Sequence, residues 1–310
     1  MIYTLTLNPA IDLFIDTNTM IKDQVNRTNY YDVQANGKGV NVSLILKQLE
    51  IENTAICVGG GFTSQYIDDF LKAKNIPTIF YPAEGITRIN VFTKVEKCNE
   101  EYKLVNPGPK VLPQTVQKVL QRIEQLKPND WLIVSGSFST GIKPDMIEKI
   151  AEIADKKNFN LVIDTSYQTV TKTLSNHPYL LKPDQEEICS WFGDDVQKVT
   201  RKDYVNMCQQ LIQKGAQRVL LSLGGDGALY VDKEHVLYGT APKGKVVNTA
   251  CSGDTMLATF IGGIQEQMTL EANFKCSLAA GSSTAFREGL TDFSDVKTLT
   301  QQVEIKRLKG

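Results

Sequence analysis

The chain has almost no excess charge of either sign, with 35 Asp and Glu against 34 Lys and Arg. With no basic stripe and no acidic run, nothing points to a nucleic-acid partner, and any anionic ligand must be held by local groups. No apolar stretch approaches the roughly 18 residues that a membrane-spanning helix requires. The opening MIYTLTLNPAID lacks the charged and apolar regions of a secretory signal. Histidine is scarce, at two residues, and the six cysteines (Cys57, Cys98, Cys189, Cys208, Cys251 and Cys276) form no C-x-x-C and no zinc-type spacing. They read as small hydrophobes in a reducing compartment, so a cytoplasmic protein with no membrane partner is expected. Also missing are G-x-x-x-x-G-K-[ST] and any G-x-G-x-x-G after a strand, which argues against a P-loop NTPase or a dinucleotide-binding unit.

What is present suits a globular enzyme. A chain of 310 residues can bury a sizeable core without disulfides or a structural metal, and one large domain with a small appendage is the natural expectation. Two segments, about 10–35 and 77–105, alternate apolar and polar residues. They predict strands of one small sheet with a wet face, set apart from the core. Between them, Gly37-Lys-Gly39 opens a helix with Val42, Ile45, Leu46 and Leu49 on one side. From residue 113 on, helical patterns alternate with short apolar strands. Helices are expected at 144–156, with Pro144 in the first turn, and after Asp254 and Leu270; strands are expected at 131–134, 161–163, 218–223 and 245–248. Strands regularly separated by helices predict an α/β fold with a mostly parallel sheet covered on both faces.

Four local motifs can carry chemistry. Asn248-Thr-Ala-Cys251-Ser252-Gly253-Asp254 runs from a strand into a helix, whose first N–H groups lack partners and attract anions. A carboxylate there makes sense if Asp254 accepts a proton from an attacking hydroxyl, although Asp is also a favoured helix cap. Ser222-Leu-Gly224-Gly225-Asp-Gly227 would let backbone approach a ligand, or would simply turn a hairpin. Asn36-Gly37-Lys38-Gly39 with Asn41 offers a lysine between glycines, for a phosphate or for solvent. Lys182-Pro-Asp184-Gln-Glu-Glu187 places two carboxylates on one helical face, able to hold Mg²⁺ through its waters or to favour the helix dipole.

Taken in order, these pieces resemble the PfkB carbohydrate kinase family over nearly the whole chain. Asn8 and Asp12, Gly37 to Asn41, Thr87-Arg88, Ser135 to Ser137, Lys182-Pro183 and Ser252 to Asp254 all fall where that family has its motifs. Tyr3-Thr-Leu-Thr-Leu-Asn-Pro-Ala, Asn248 and Pro107-Gly-Pro109 are similar to its phosphosugar branch. The resemblance implies a ribokinase-like fold: a three-layer αβα sandwich forming one kinase domain over residues 1–310, with a small β-sheet lid from segments 10–35 and 77–105. It implies ATP and Mg²⁺ as cofactors and a homodimer packed through the lid. The expected substrate is a ketohexose monophosphate, phosphorylated to a 1,6-bisphosphate. Fructose 1-phosphate comes first, and tagatose 6-phosphate or fructose 6-phosphate second. A regulator that binds nucleotide and sugar phosphate with little catalysis is the alternative of another class.

The same resemblance assigns residues. Asp12, Gly37, Lys38 and Asn41 would hold sugar hydroxyls, and Arg88, Arg27, Lys103 and Ser137 the existing phosphate. Asp254 would be the base, and the amides of Cys251, Ser252 and Gly253 would face the transferring phosphoryl group. Lys182, Ser222, Gly224, Gly225 and Gly227 would border ATP, and Asp184 and Glu187 would position Mg²⁺. Four positions depart from the family pattern. Asn36 replaces a glycine, and a left-handed Asn is expected to preserve the turn. Cys251 also replaces a glycine, and its thiol at a helix start is expected to have a lowered pKa. Asp184 replaces Asn, and Lys103 stands where relatives often carry Arg.

Overall fold

Leu132, Ile133 and Val134 are all fully buried, which requires a covering layer on each face of their strand. The computed structural model, which describes residues 1–308, supplies both layers. Leu132 and Val134 join a core with Leu5, Ile163 and Leu221, whereas Ile133 joins a second core with Ile2, Val162 and Leu220. Successive side chains of a strand point to opposite faces, so a run of apolar residues serves two cores at once. The architecture is thus a three-layer αβα sandwich.

In chain order the strands are β1 (Ile2–Thr6), β2 (Ala10–Thr17), β3 (Tyr30–Asn36), β4 (Asn53–Gly59), β5 (Thr78–Pro82), β6 (Arg88–Val95), β7 (Glu100–Leu104) and β8 (Trp131–Ser135). They continue as β9 (Asn160–Asp164), β10 (Leu180–Leu181), β11 (Val219–Ser222), β12 (Ala228–Val231), β13 (Val236–Gly239) and β14 (Ile305–Arg307). The large sheet has the order β14-β13-β12-β11-β10-β9-β8-β1-β4-β5. From β11 to β5 every neighbouring pair is parallel, while β12, β13 and β14 form an antiparallel edge. One layer holds α3 (Pro113–Ile123), α4 (Met146–Lys157), α5 (Gln185–Phe192) and α6 (Arg201–Gln213). The other is built mainly from α1 (Lys38–Gln48), α7 (Ser252–Gln265) and α8 (Leu270–Ala285). Two further helices complete the set, α2 (Gly61–Ala73) and α9 (Val296–Thr300).

The second sheet is small and separate, with the order β3-β2-β6-β7. It is narrower than its alternating pattern predicts. Thr78–Pro82 belongs to the large sheet, where it pairs with β4 in parallel, so only β6 and β7 of segment 77–105 enter the lid. Two other expectations fail for physical reasons. Residues 245–248 form no strand; Val246 and Val247 are exposed, and the amides of Val247 and Asn248 donate to the Ala285 carbonyl. Pro144 lies before α4, whose cap is Asp145.

The parallel strands direct the chain segments that follow β1, β8, β9 and β11 toward one end of the sheet, the end where α/β proteins bind ligands. One of the connections between lid and core there is a single glycine, Gly37, with φ of +132° between β3 and α1. A side chain at Gly39 would strike the Thr6 hydroxyl, so the start of α1 lies directly on β1.

Candidate active site

Asp254 is the third residue of α7 and caps nothing: the helix has no side-chain cap bond, and Cys251 occupies the cap position. The helix-cap explanation for this carboxylate is thereby removed. Asn41 on α1 donates through Nδ2 to Asp254 Oδ2 at 2.9 Å. Oδ1 accepts no hydrogen bond, yet it is not among the sealed polar atoms and keeps contact with solvent. Burial raises the pKa of Asp254 to about 6, with Asp164 adding to the rise and Lys38, Asn41 and Lys182 opposing it. A carboxylate of that basicity is ionised at neutral pH and better suited than an ordinary one to take a proton.

The start of α7 is also an anion site. Among the described residues, the amides of Gly253 and Asp254 find no acceptor in the chain. Lys182 adds a cation, because its Nζ lies 3.0 Å from where a Cβ on Gly253 would stand. Glycine at 253 is therefore what lets the ammonium reach this point.

Lys182 is fixed by a residue that the sequence pattern did not single out. Asp164, at the end of β9, is fully buried, and its Oδ1 binds both Lys182 at 3.2 Å and Lys38 at 3.1 Å. Burial opposes its charge, but the two lysines hold its carboxyl below the usual range. Its Oδ2 is buried without a partner. Lys38 also lies 3.5 Å from Glu187 Oε1. Burial works against the Lys38 ammonium, and Asp164, Glu187 and Asp254 more than offset it. A carboxylate that ends an apolar strand at the ligand-binding end of a parallel sheet was the available signal for Asp164.

Beside these groups is a cavity of about 250 Å³, bordered by Asn8, Lys38, Arg88, Ser137 and Glu187 among others. Arg88 donates through Nη2 to the Asn8 carbonyl at 3.1 Å, and its Nε is buried without a partner. Asn8 in turn donates to Ser137 Oγ at 3.0 Å. Asp12 is buried at the lid joint, with Oδ1 accepting from Asn90 at 2.8 Å and Oδ2 from Asn36 at 2.6 Å. Ser222, Gly224, Gly225 and Gly227 form the turn between β11 and β12. Gly224 and Gly225 face open space, while any side chain at Gly227 would strike the Gly239 carbonyl. Ser222 Oγ donates to the carbonyl of Pro183, next to Lys182.

Several expected site residues stand elsewhere. Arg27 lies exposed in the 18–29 connection, where only its carbonyl is engaged, by Thr17. Lys103 is on the lid edge and pairs with Glu101 at 3.6 Å, because β7 is exposed along its whole length. Asp184 caps α5: its side chain accepts from the Glu187 amide at 2.8 Å, and Glu187 Oε2 accepts from the Asp184 amide at 3.0 Å. One oxygen of each carboxylate in the expected metal pair is thus committed to a helix cap, and no cluster of three metal-type ligands occurs among the described residues. The Cys251 thiol pKa is raised, not lowered, because burial and the nearby Asp254 and Asp12 outweigh the hydrogen bonds from Asn36 and Asn41. Asn36 is extended rather than left-handed; the positive φ falls on Gly37 and on Cys251 itself, at +64°.

A buried carboxylate of raised basicity, unpaired amides and two lysines converge at the ligand end of a parallel sheet. Such a set can take a proton from an alcohol and offset the charge of a transferring phosphoryl group. Residues 5–297 match the pfkB family carbohydrate kinase model, and the chain belongs to that family. It is 41% identical over 308 residues to a D-tagatose-1-phosphate kinase of Bacillus licheniformis, covering 99% of this chain and 100% of the relative. It is 35% identical over 308 residues to a 1-phosphofructokinase of Bacillus subtilis, with the same coverage. The crystal structure of phosphofructokinase-2 from Escherichia coli in complex with substrates and products superposes with a TM-score of 0.89 at 26% identity, covering 97% of this chain and 98% of that one.

Proposed function

We propose that this protein transfers the γ-phosphoryl group of ATP to the 6-hydroxyl of a ketohexose 1-phosphate, giving the 1,6-bisphosphate. Fructose 1-phosphate and tagatose 1-phosphate, which differ only at C4, are the two candidate substrates, as the names of the relatives suggest. The observation that carries this reading is the pairing of Asp254 Oδ1, free of hydrogen bonds, with the unpartnered amides at the start of the same helix.

In this reading Asp254 takes the hydroxyl proton as the oxygen attacks phosphorus. The amides of Gly253 and Asp254 offset charge that develops on the phosphoryl oxygens, with Lys182 beside them. Arg88, whose Nε lacks a partner, suits the phosphate that the sugar already carries, since a guanidinium can bind it through two N–H groups. Asp12, Lys38 and Asn41 would hold the hydroxyls between. The turn at Ser222 to Gly227 offers open backbone for the nucleotide.

Mg²⁺ fits this site, though not on the pair expected from sequence. Asp164 Oδ2 is buried without a partner, and Glu187 Oε1 lies outside the helix cap. Two carboxylate oxygens suit a cation that keeps several waters. When bound, the ion would neutralise charge on the nucleotide phosphates.

A lid-to-lid homodimer belongs to the same proposal. Val25, Tyr30, Tyr31 and Leu104 of the lid are exposed by 59 to 82%. An apolar edge of this kind calls for a partner. Six unpaired cysteines suit a cytoplasmic location. The deciding experiment is a coupled ADP-release assay on fructose 1-phosphate, tagatose 1-phosphate, the two 6-phosphates and free fructose. Turnover confined to the 1-phosphates is expected; equal turnover of free fructose would overturn the proposal.

A further inference from the structure

Asn36 and Cys251, the two side chains that stand in place of glycine in the family pattern, meet in this fold. Asn36 Nδ2 lies 3.9 Å from Cys251 Sγ, and Asn41 Nδ2 lies 3.1 Å from the same sulfur. The orientation of the Asn36 amide is fixed by its neighbours. Its Oδ1 accepts from the Gly37 amide at 2.6 Å, which leaves Nδ2 to donate to the Asp12 carboxylate at 2.6 Å. The same Oδ1 accepts from Asn41 Nδ2 at 2.8 Å, and Asn41 donates to Asp254 Oδ2 at 2.9 Å.

These bonds form an unbroken chain from Asp12 on the lid strand β2, through Asn36 and Asn41, to Asp254 on the core helix α7. Asn36 is the last residue of the lid strand β3, one residue before the glycine joint. A glycine at 36 would leave Asp12 Oδ2 without its donor and take from Asn41 one of its acceptors, the one on the lid side. Cys251 closes the other side of Asn41, and all three residues wall a second cavity of about 500 Å³.

We propose that Asn36 is a positioning residue that couples the lid to the catalytic base, holding Asn41 and Asp254 in register with the substrate-binding carboxylate Asp12. This rests on the kinase reading above. Asn36 touches no reacting atom in this scheme; it acts through Asn41. Losing it misplaces the base by a fraction of an ångström to an ångström, which is enough to slow chemistry. Nucleotide binding, on the far side of Lys182, is unaffected.

The test is Asn36→Gly, with Asn36→Ser as a second variant that keeps a hydroxyl acceptor for Asn41 if the glycine protein folds poorly. In the ADP-release assay, kcat falls by roughly 10–100-fold in the glycine variant, the serine variant lies between, and the KM for ATP stays within about twofold. The acid limb of the kcat/KM profile moves to higher pH, since the Asn41 bond favours ionised Asp254. A wild-type kcat in Asn36→Gly overturns the inference. Should the wild type turn over no sugar phosphate, the kinase reading falls by itself. The inference is then decided by the carboxyl titration of Asp254, followed by ¹³C NMR in the unliganded protein. A midpoint that rises in Asn36→Gly supports the coupling, and an unmoved midpoint overturns it.

Discussion

Asn41 and Asp254 are joined across the junction of α1 and α7 by a hydrogen bond of 2.9 Å, although 213 residues separate them in the chain. The bond occupies one oxygen of the carboxylate and leaves the other free. The consequences of that division can be tested.

Asp254→Asn keeps an acceptor for Asn41 and removes the base. kcat is expected to fall by roughly 10²–10⁴-fold, with little change in ATP affinity. Steady-state kinetics combined with nucleotide titration checks both halves; near-normal turnover would remove Asp254 from the chemistry.

The raised pKa of Asp254, about 6 against an ordinary 3.8, has two signs to follow. The base works ionised, so kcat/KM should decline as pH falls through about 6. For stability the sign is reversed: the folded protein holds this proton more tightly than the unfolded chain. The group therefore becomes more destabilising as pH rises from about 4 to 6, reaching a cost on the order of 3 kcal/mol. Asp254→Asn should melt above the wild type at pH 8, and the difference should vanish near pH 4. Thermal melts at the two pH values check it.

Arg88→Ala should raise the KM for the sugar phosphate by roughly 10–100-fold, the weight of a charged hydrogen-bonding group. The KM for ATP should barely move. Arg88→Lys should recover only part of the loss, because an ammonium cannot bind phosphate through two fixed N–H groups. Equal effects on both substrates would place Arg88 outside the substrate site.

Asp184 and Glu187 should separate by readout. Asp184→Ala loses a helix cap and should cost about 1 kcal/mol of stability, with the Mg²⁺ requirement little changed. Glu187→Gln removes a carboxylate oxygen beside Lys38 and should raise the Mg²⁺ concentration needed for half-maximal rate. Melting curves and Mg²⁺ titrations of both variants test the assignment; the reverse pattern would return the metal to Asp184.

The layered fold was legible because its signals are local. The apolar runs at 131–134 and 161–163 had to be buried on both faces, and the glycines at 37, 39 and 253 sit where backbone must approach something closely. Asp254 stood out as a candidate for the same reason, as a carboxylate just inside a helix that starts with small residues. Asp164 was less so: its place at the end of an apolar strand was its one local signal, and its partners Lys38 and Lys182 come from distant positions. Thr78–Pro82 misled because this edge strand of the large sheet is only half-buried, as much of a lid strand is. Asp184 and Glu187 could be read two ways because a capping box, which both of them form, and a metal pair use the same spacing.

Lys38 enters from the lid junction and Lys182 from the sheet, yet both ammonium groups rest on a single oxygen of Asp164. That atom acts as a common datum for the two halves of the site. A small drift in the register of β9 would carry both cations along together and leave the gap between them unchanged. Under the proposed function, the two ends of the reacting assembly would thus be referred to one buried atom.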